Sequence, residues 1–289
     1  MKPPPFDYVR PASVEEALEI LAEHGDEAKP LAGGQSLVPM LNLRLARPAV
    51  LVDLNDLPLD AIRRDDGVLE LGALVRHETL LRDGAIAEVA PLLAAAARVI
   101  GHPAIRYRGT LGGSLAHADP TAELALVSLV LDAELQIASA SSARTIPAES
   151  FFLGPYMTAL QPEELILGVR VEARTEGSRF GFEELAQRAG DFALAGAACH
   201  LTVADGVVRA ARVAAIGAGP VPLRLEAIED AVLGRSIGDG LVDDAVAACG
   251  EIAGRADVHA SAGFRSHLVR VAVRRALGAA GVGAEEPAA

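Results

Sequence analysis

The amino-acid sequence predicts an α+β chain of two units, and three observations carry that prediction. Strand-like segments cluster apart from helical ones instead of alternating with them. A polar stretch from Glu172 to Ser178 interrupts the apolar pattern and marks a boundary, giving units of 1–175 and 176–289. Beyond it, two long apolar runs flank Asp205-Gly206, the strongest short-range hairpin signal in the chain. At 289 residues and 51% hydrophobic content, the chain has enough length and apolar mass to bury two cores.

Taken in order, Ser13-Val14-Glu15-Glu16 reads as a capping box, with Ser13 as N-cap. Ala17, Leu18 and Leu21 supply the apolar stripe of the following helix, and Gly25 ends it. Pro30-Leu31-Ala32 predicts a strand running into Gly33-Gly34, and residues 50–54 a second strand, so a first subdomain spans about 1–56. In the second subdomain, about 57–175, residues 68–71 alternate as a strand and 86–100 read as one Ala-rich buried helix. A polar, arginine-bearing loop is expected over 101–109. Residues 134–138 and 143–146 have the pattern of a hairpin, and 165–171 that of a further strand. In the last third, 193–203 and 207–216 are the strands of the Asp205-Gly206 hairpin, followed by helices over 223–233, 242–252 and 261–277. The Ala/Gly/Glu-rich tail after Gly278 is expected to fray.

Composition removes several classes of function. A net charge of −13, from 26 basic and 39 acidic residues, argues against nucleic acid or an anionic membrane as partner. The N-terminus lacks the apolar core of a signal peptide, and the longest strongly apolar stretch, 124–131, is about half of the ~18 residues a membrane span needs. A soluble, reducing, cytoplasmic setting is therefore expected. Two cysteines, Cys199 and Cys249, form no disulfide framework and no cluster-ligating set, so any metal–sulfur centre must lie on another chain. Lys2 and Lys29, the two lysines, sit in no P-loop. There is no GxSxG elbow and no HExxH, and Gly217-Ala218-Gly219 continues as Pro220-Val221-Pro222, which breaks a GxGxxG fingerprint. The histidines lack ligand spacing, so no metal site is assigned.

Two glycine pairs remain. Ala32-Gly33-Gly34-Gln35-Ser36-Leu37 and Thr110-Leu111-Gly112-Gly113-Ser114 each lie in or after apolar sequence and end in a small hydroxyl residue. Paired glycines permit positive φ and remove Cβ atoms, so successive backbone N–H groups can converge on an anion. Such a cradle holds a diphosphate without any lysine. Either pair alone is as readily a tight turn; two with matching flanks are harder to dismiss.

The stretch Lys29-Pro30-Leu31-Ala32-Gly33-Gly34-Gln35-Ser36-Leu37-Val38-Pro39-Met40 resembles the first FAD motif of the medium, FAD-binding subunits of molybdenum hydroxylases. That family includes carbon monoxide dehydrogenase, nicotine dehydrogenase and bacterial xanthine dehydrogenase relatives. Gly109 to Pro120 resembles its second motif, and Arg188-Ala189-Gly190-Asp191-Phe192-Ala193 a third, so the resemblance covers nearly the whole chain. It implies a two-subdomain FAD-binding domain of the PCMH type followed by a C-terminal α+β domain with an antiparallel sheet and helices. It also implies that Leu31, Ala32, Gly33, Gly34, Gln35, Ser36 and Leu37, with Thr110, Leu111, Gly112, Gly113 and Ser114, wrap the FAD diphosphate and ribityl chain, mostly through backbone N–H groups. By the same resemblance Glu123 meets the ribityl hydroxyls, Leu165 or Ile166 packs near the isoalloxazine, and Asp191 and Phe192 lie on the flavin's accessible side. No residue is singled out as catalytic beyond these flavin-proximal two.

The implied role is electron transfer in an oxidoreductase complex. A large subunit would hold molybdopterin and a small subunit [2Fe–2S] clusters, in a dimer of heterotrimers. Electrons would pass through FAD on this chain to NAD, a quinone or oxygen. Two departures from the family pattern stand out: Ser114 replaces a common Asn, and Glu183 and Glu184 occupy the neighbourhood of a lysine. Two other readings stay open, a stand-alone FAD-dependent oxidase or reductase and a flavin-free assembly subunit. Of the remaining polar residues, His117 and Asp119 are expected to orient the second motif rather than move protons. Arg106 and Arg108 either offset phosphate charge, face a partner or are solvated, and Arg270, Arg274 and Arg275 form an interface edge or a solvated face. Cys199 and Cys249 are expected to be small buried hydrophobes.

Overall fold

The computed structural model describes residues 2–238, 240–250, 252 and 254–282. Three larger sheets and a two-stranded one, Phe152–Gly154 with Met157–Thr158, organise them. The first is parallel, with Val50–Asp53 between Asp7–Val9 and Ala28–Leu31. Every residue of Val50–Asp53 is buried, as a central parallel strand requires. The edge strand Asp7–Val9 is short and mostly exposed, and so carries no apolar signature. The helix Val14–His24 covers this sheet with Ala17, Leu18 and Leu21. Ser13 Oγ accepts from the Glu16 N–H at 3.1 Å, while the Glu16 carboxylate accepts from the Ala12 N–H at 2.6 Å, one residue earlier than a reciprocal box requires. The strand after this helix stops at Leu31, leaving Ala32 outside the ladder.

The second sheet has five antiparallel strands in the order Ile62–Asp65, Val68–Gly72, Leu165–Glu172, Glu134–Ala138, Ala143–Pro147. Helices cover it from one chain segment. The expected single helix over 86–100 is two, Gly84–Val89 and Pro91–Val99. Pro91 has no N–H and opens the second helix, while Ala90 (φ −137°) breaks the first. Asp83 caps the first helix through the N–H groups of Ala85 and Ile86. The expected loop over 101–109 contains a helical turn, Pro103–Arg106, again opened by proline.

The third sheet, also antiparallel, runs Ser178–Ala186, Ala193–Ala204, Val207–Ile216, Leu223–Arg224. Asp205 and Gly206 turn its hairpin with φ of +52° and +70°, the handedness that matches strand twist. Leu223–Arg224 is a strand, so the helix expected from 223 begins at Glu226 and ends at Val232. The next two are Leu241–Ala248 and Ala262–Ala279, the latter capped by Ser261. Residues 283–289 of the tail lie outside the described residues.

Both faces of the third sheet are used. Ala195, Ala197, Cys199 and Leu201 pack on Val269, Ala272, Val273 and Ala276 of the last helix. Ala193, Ala198, Ala214 and Ile216 join the core of the first unit. The helix approaches so closely that a Cβ on Gly181 would lie 1.7 Å from the Ala276 carbonyl oxygen. At the seam between the units Asp132 receives Arg212 Nε at 2.7 Å and Arg224 Nη1 at 2.8 Å. The strand Leu165–Glu172 ends and Ser178–Ala186 begins across this seam, with Arg174, Thr175 and Glu176 exposed between them.

Candidate functional site

The two glycine pairs meet. A Cβ on Gly33 would lie 2.2 Å from the Arg108 carbonyl oxygen and 2.9 Å from Gly109 Cα, and one on Gly113 would lie 3.7 Å from Ala32 Cβ. Only a residue without a side chain allows this contact. A polar strut missed by sequence reasoning holds the two segments together. Arg76 donates to the Arg108 carbonyl at 2.5 Å and to Asn55 Oδ1 at 2.7 Å, and Asn55 Nδ2 donates to the Ala32 carbonyl at 2.9 Å. Asn55 follows Asp53, which receives its backbone N–H at 3.0 Å as well as the Tyr8 hydroxyl. Burial raises the Asp53 pKa, but these hydrogen bonds outweigh it and hold the carboxyl below its ordinary range. The visible signal was a polar Asp-Leu-Asn run closing an apolar strand.

The pairs differ in backbone. Gly34 is left-handed at φ +73°, and the chain then enters the short helix Leu37–Asn42, whose N-cap Ser36 makes no side-chain cap. The N–H groups of Gly33, Gly34, Gln35, Ser36 and Leu37 donate to no acceptor among the described residues. By contrast Thr110 is the N-cap of the helix Leu111–His117, and Gly112 and Gly113 are helical. Here each amide has a partner: Leu111 to the Val75 carbonyl at 2.9 Å, Gly112 to Ala73 at 2.8 Å, Gly113 to Thr110 Oγ1 at 3.1 Å and Ser114 to the Thr110 carbonyl at 3.0 Å. Free amides therefore remain at the first pair alone, and the expectation is corrected for the second, whose glycines serve close packing. A Cβ on Gly112 would meet Ala73 Cβ at 2.6 Å. Gly113 is exposed and Ser114 half-buried, so a surface and a hydroxyl remain there for a ligand.

His77 supports the second pair from below. Its Nε2 lies 2.9 Å from the Thr110 carbonyl, which can only accept, so Nε2 carries the proton and Nδ1 is the buried atom without a partner. Burial pushes its pKa down to about 4, keeping the ring neutral. Glu78 gathers Arg82 at 2.9 Å and Arg106 at 3.0 Å. Arg106 also donates to the carbonyls of Ile100 and Gly101, so it is a largely buried strut within the chain and not a solvated side chain.

The other expected residues are dispersed around this floor. Asp119 accepts from Thr121 N–H at 2.8 Å, Thr121 Oγ1 at 2.7 Å and the Tyr156 hydroxyl at 3.2 Å, the bonds of an orienting residue. His117 lies beside the Tyr156 ring at 5.1 Å between centroids. The loop Arg188–Phe192 rests against the segment that leads to the second pair, because a Cβ on Gly190 would meet the His102 ring at 2.8 Å. Asp191 is exposed and Phe192 is 80% exposed. Leu165 and Ile166 are buried in separate cores, so their side chains pack protein. On the last helix Arg274 pairs with Asp243, Arg275 with Glu183 at 2.8 Å, and Arg270 donates to the Gly250 carbonyl, which makes all three intramolecular struts. Cys199 is fully buried and its thiol is pushed up to about 12; Cys249 is half-buried. Among the described residues no group of acidic, histidine and cysteine side chains could hold a metal, and no helix is long and apolar enough to cross a membrane.

These features define a class, an α+β domain whose glycine loop, itself without lysine, presents free amides of the kind that cradle an anion, joined to a second α+β domain. Comparison gives the family. A model described as the FAD binding domain in molybdopterin dehydrogenase matches residues 4–172, and one described as the CO dehydrogenase flavoprotein C-terminal domain matches 180–280. The chain is 42% identical to the 6-hydroxypseudooxynicotine dehydrogenase complex subunit alpha of Paenarthrobacter nicotinovorans, over 96% of this chain and 95% of that one. It is 36% identical to the carbon monoxide dehydrogenase medium chain of Hydrogenophaga pseudoflava, over 97% and 98%. Among solved structures, carbon monoxide dehydrogenase from the same organism superposes with a TM-score of 0.94 at 37% identity, over 97% of this chain and 98% of that one. The chain belongs to the FAD-binding medium subunits of the molybdenum hydroxylases and is thus an oxidoreductase subunit.

Proposed function

We propose that this chain holds FAD at the junction of its two glycine segments and relays electrons through it within a molybdenum hydroxylase. The observation that carries the reading is the run of free amides from Gly33 to Leu37, entered through left-handed Gly34. Backbone N–H groups at the mouth of a short helix suit a diphosphate, and Arg108 adds positive charge to the adjoining segment. Leu31 to Leu37 would hold the diphosphate, with Thr110 to Ser114 as the opposing wall. Glu123 would accept from the ribityl hydroxyls, and Asp191 and Phe192, on an exposed loop, would border the flavin ring. When bound, FAD supplies the capacity to take electrons one at a time and release them as a pair. The protein's part is to bind the diphosphate, order the loop and exclude competing ligands.

Substrate oxidation and the iron–sulfur relay would belong to partner chains, a large molybdopterin subunit and a small [2Fe–2S] subunit, in a dimer of heterotrimers. The thiol inventory supports this division, since neither Cys199 nor Cys249 has a second sulfur ligand beside it. Two unpaired thiols also accord with a reducing, cytoplasmic compartment. The division of units at about residue 175 follows the exposed segment between the second and third sheets. Purification under native conditions tests the proposal: a yellow complex with a flavin spectrum, carrying molybdenum and iron on two further chains, is expected. A colourless chain that takes up no added FAD would sink it.

A further inference from the structure

Two carboxyl groups meet at the seam between the units, and among the described residues no cation serves them. Glu123 opens the helix Glu123–Val130, which packs on Ala193–Ala204 and Val207–Ile216. Glu184 reaches the same place from the strand Ser178–Ala186, where it pairs in register with Gly196. The two side chains lie within hydrogen-bonding reach of each other. Written as carboxylates, both could only accept, and the buried Glu184 Oε2 is then left without a donor. A proton between them satisfies both groups, as in other carboxyl pairs.

The surroundings decide where that proton sits. Glu123 stands in the first turn of its helix and receives its own backbone N–H, both of which favour its charged form. Glu184 has no such donor. The other charges acting on the pair are acidic, Asp119 toward Glu123 and Glu183 toward Glu184. Arg275, the base that reaches this strand, is held by Glu183 at 2.8 Å. Asp119 is bound by Thr121 and Tyr156, and burial favours neutral His117 in the same turn.

We propose that Glu184 is a positioning residue for FAD: it retains one proton, donates it to Glu123 across the seam, and keeps Glu123 a singly charged acceptor for the ribityl hydroxyls. The proposal rests on the FAD reading above. Burial pushes the Glu123 pKa up to about 7, and burial together with the charge of Glu123 pushes that of Glu184 up to about 9. The sign follows. A carboxyl whose folded pKa is raised keeps its proton at neutral pH, weakens folding progressively as pH climbs from its ordinary 4.5, and ionises only near pH 9. Above that, two negative charges face each other beside a ligand that is itself anionic.

Flavin-stripped full-length chain titrated with FAD, followed by flavin fluorescence, tests this in the wild type and in Glu184→Gln, whose amide still donates but cannot ionise. In the wild type the Kd for FAD should hold steady between about pH 7.5 and 8.5, where Glu123 carries the charge and Glu184 the proton, and weaken about tenfold by about pH 10, whereas Glu184→Gln should stay within about twofold from about pH 7.5 upward. The flavin's own alkaline titration acts on both proteins alike. Wild-type pH dependence in Glu184→Gln, or its failure to bind FAD at any pH when folded, would overturn the proposal. Should that variant not fold, the infrared C=O band of a protonated carboxyl in the wild type decides: its presence at neutral pH and loss near pH 10 are expected, and its absence at neutral pH refutes the shared proton. If neither protein takes up FAD while the band is present, the flavin reading fails and the proton pair stands.

Discussion

The two glycine pairs look alike in sequence and do opposite work. Gly33-Gly34 leaves a row of amides free, with one left-handed residue turning the chain. Gly112-Gly113 lies in a capped helix whose amides are all engaged, and its missing side chain lets that helix seat on Ala73. A glycine pair is thus no single signal. It permits either an unusual φ or a close approach, and the two residues ahead of it separate the cases. Thr110 can cap a helix; Ala32 cannot. What joins the pairs is the contact of Gly33 with the Arg108 backbone, made rigid by Arg76 and Asn55.

The contrast can be broken by substitution. The largest effect is expected from Gly112→Val, which drives a branched side chain into Ala73. Overpacking of this kind costs about 3 kcal/mol, read as a fall of roughly 6–12 °C in the unfolding temperature of the flavin-free chain. An unchanged melting curve would mean that the helix does not seat there. Gly34→Val should act on the other side of the divide. A β-branched residue at φ +73° costs about 1–2 kcal/mol, and rearrangement of the loop should weaken FAD affinity more than tenfold in a chain that still folds. Equal loss of stability in both variants would erase the distinction between a ligand loop and a packing helix. The smallest effect is expected from Thr110→Ala. It removes the Oγ1 acceptor of the Gly113 N–H, costs about 1 kcal/mol in urea unfolding, and leaves FAD affinity within a few-fold.

Much of the scaffold was legible because single residues report local geometry. Ser13 and Gly25 bracketed the first helix, and Asp205-Gly206 fixed the third sheet's hairpin. The misreadings are equally local in cause. A run of alanines hid the break at Pro91, and Asp7–Val9 is too short and exposed for its alternation to show. The site was legible as motifs but not as contacts. Nothing in the chain order announces that Arg76 reaches Arg108, or that Glu184 arrives at Glu123, because these meetings are made by the packing of sheets. The arginines of the last helix show the same limit: their spacing marked an outward, exposed edge, but not the distant partners Asp243 and Glu183 that Arg274 and Arg275 meet there.

The third sheet has a consequence for the integrity of the polypeptide. It lends one face to the core of the first unit and is pinned there by Asp132, while Arg174, Thr175 and Glu176 cross the seam in the open. A protease that nicks the chain among these residues severs a tether, not the interface. The halves should migrate as two bands under denaturing conditions and as one particle in native buffer, so that a cut subunit could go on serving its complex undetected.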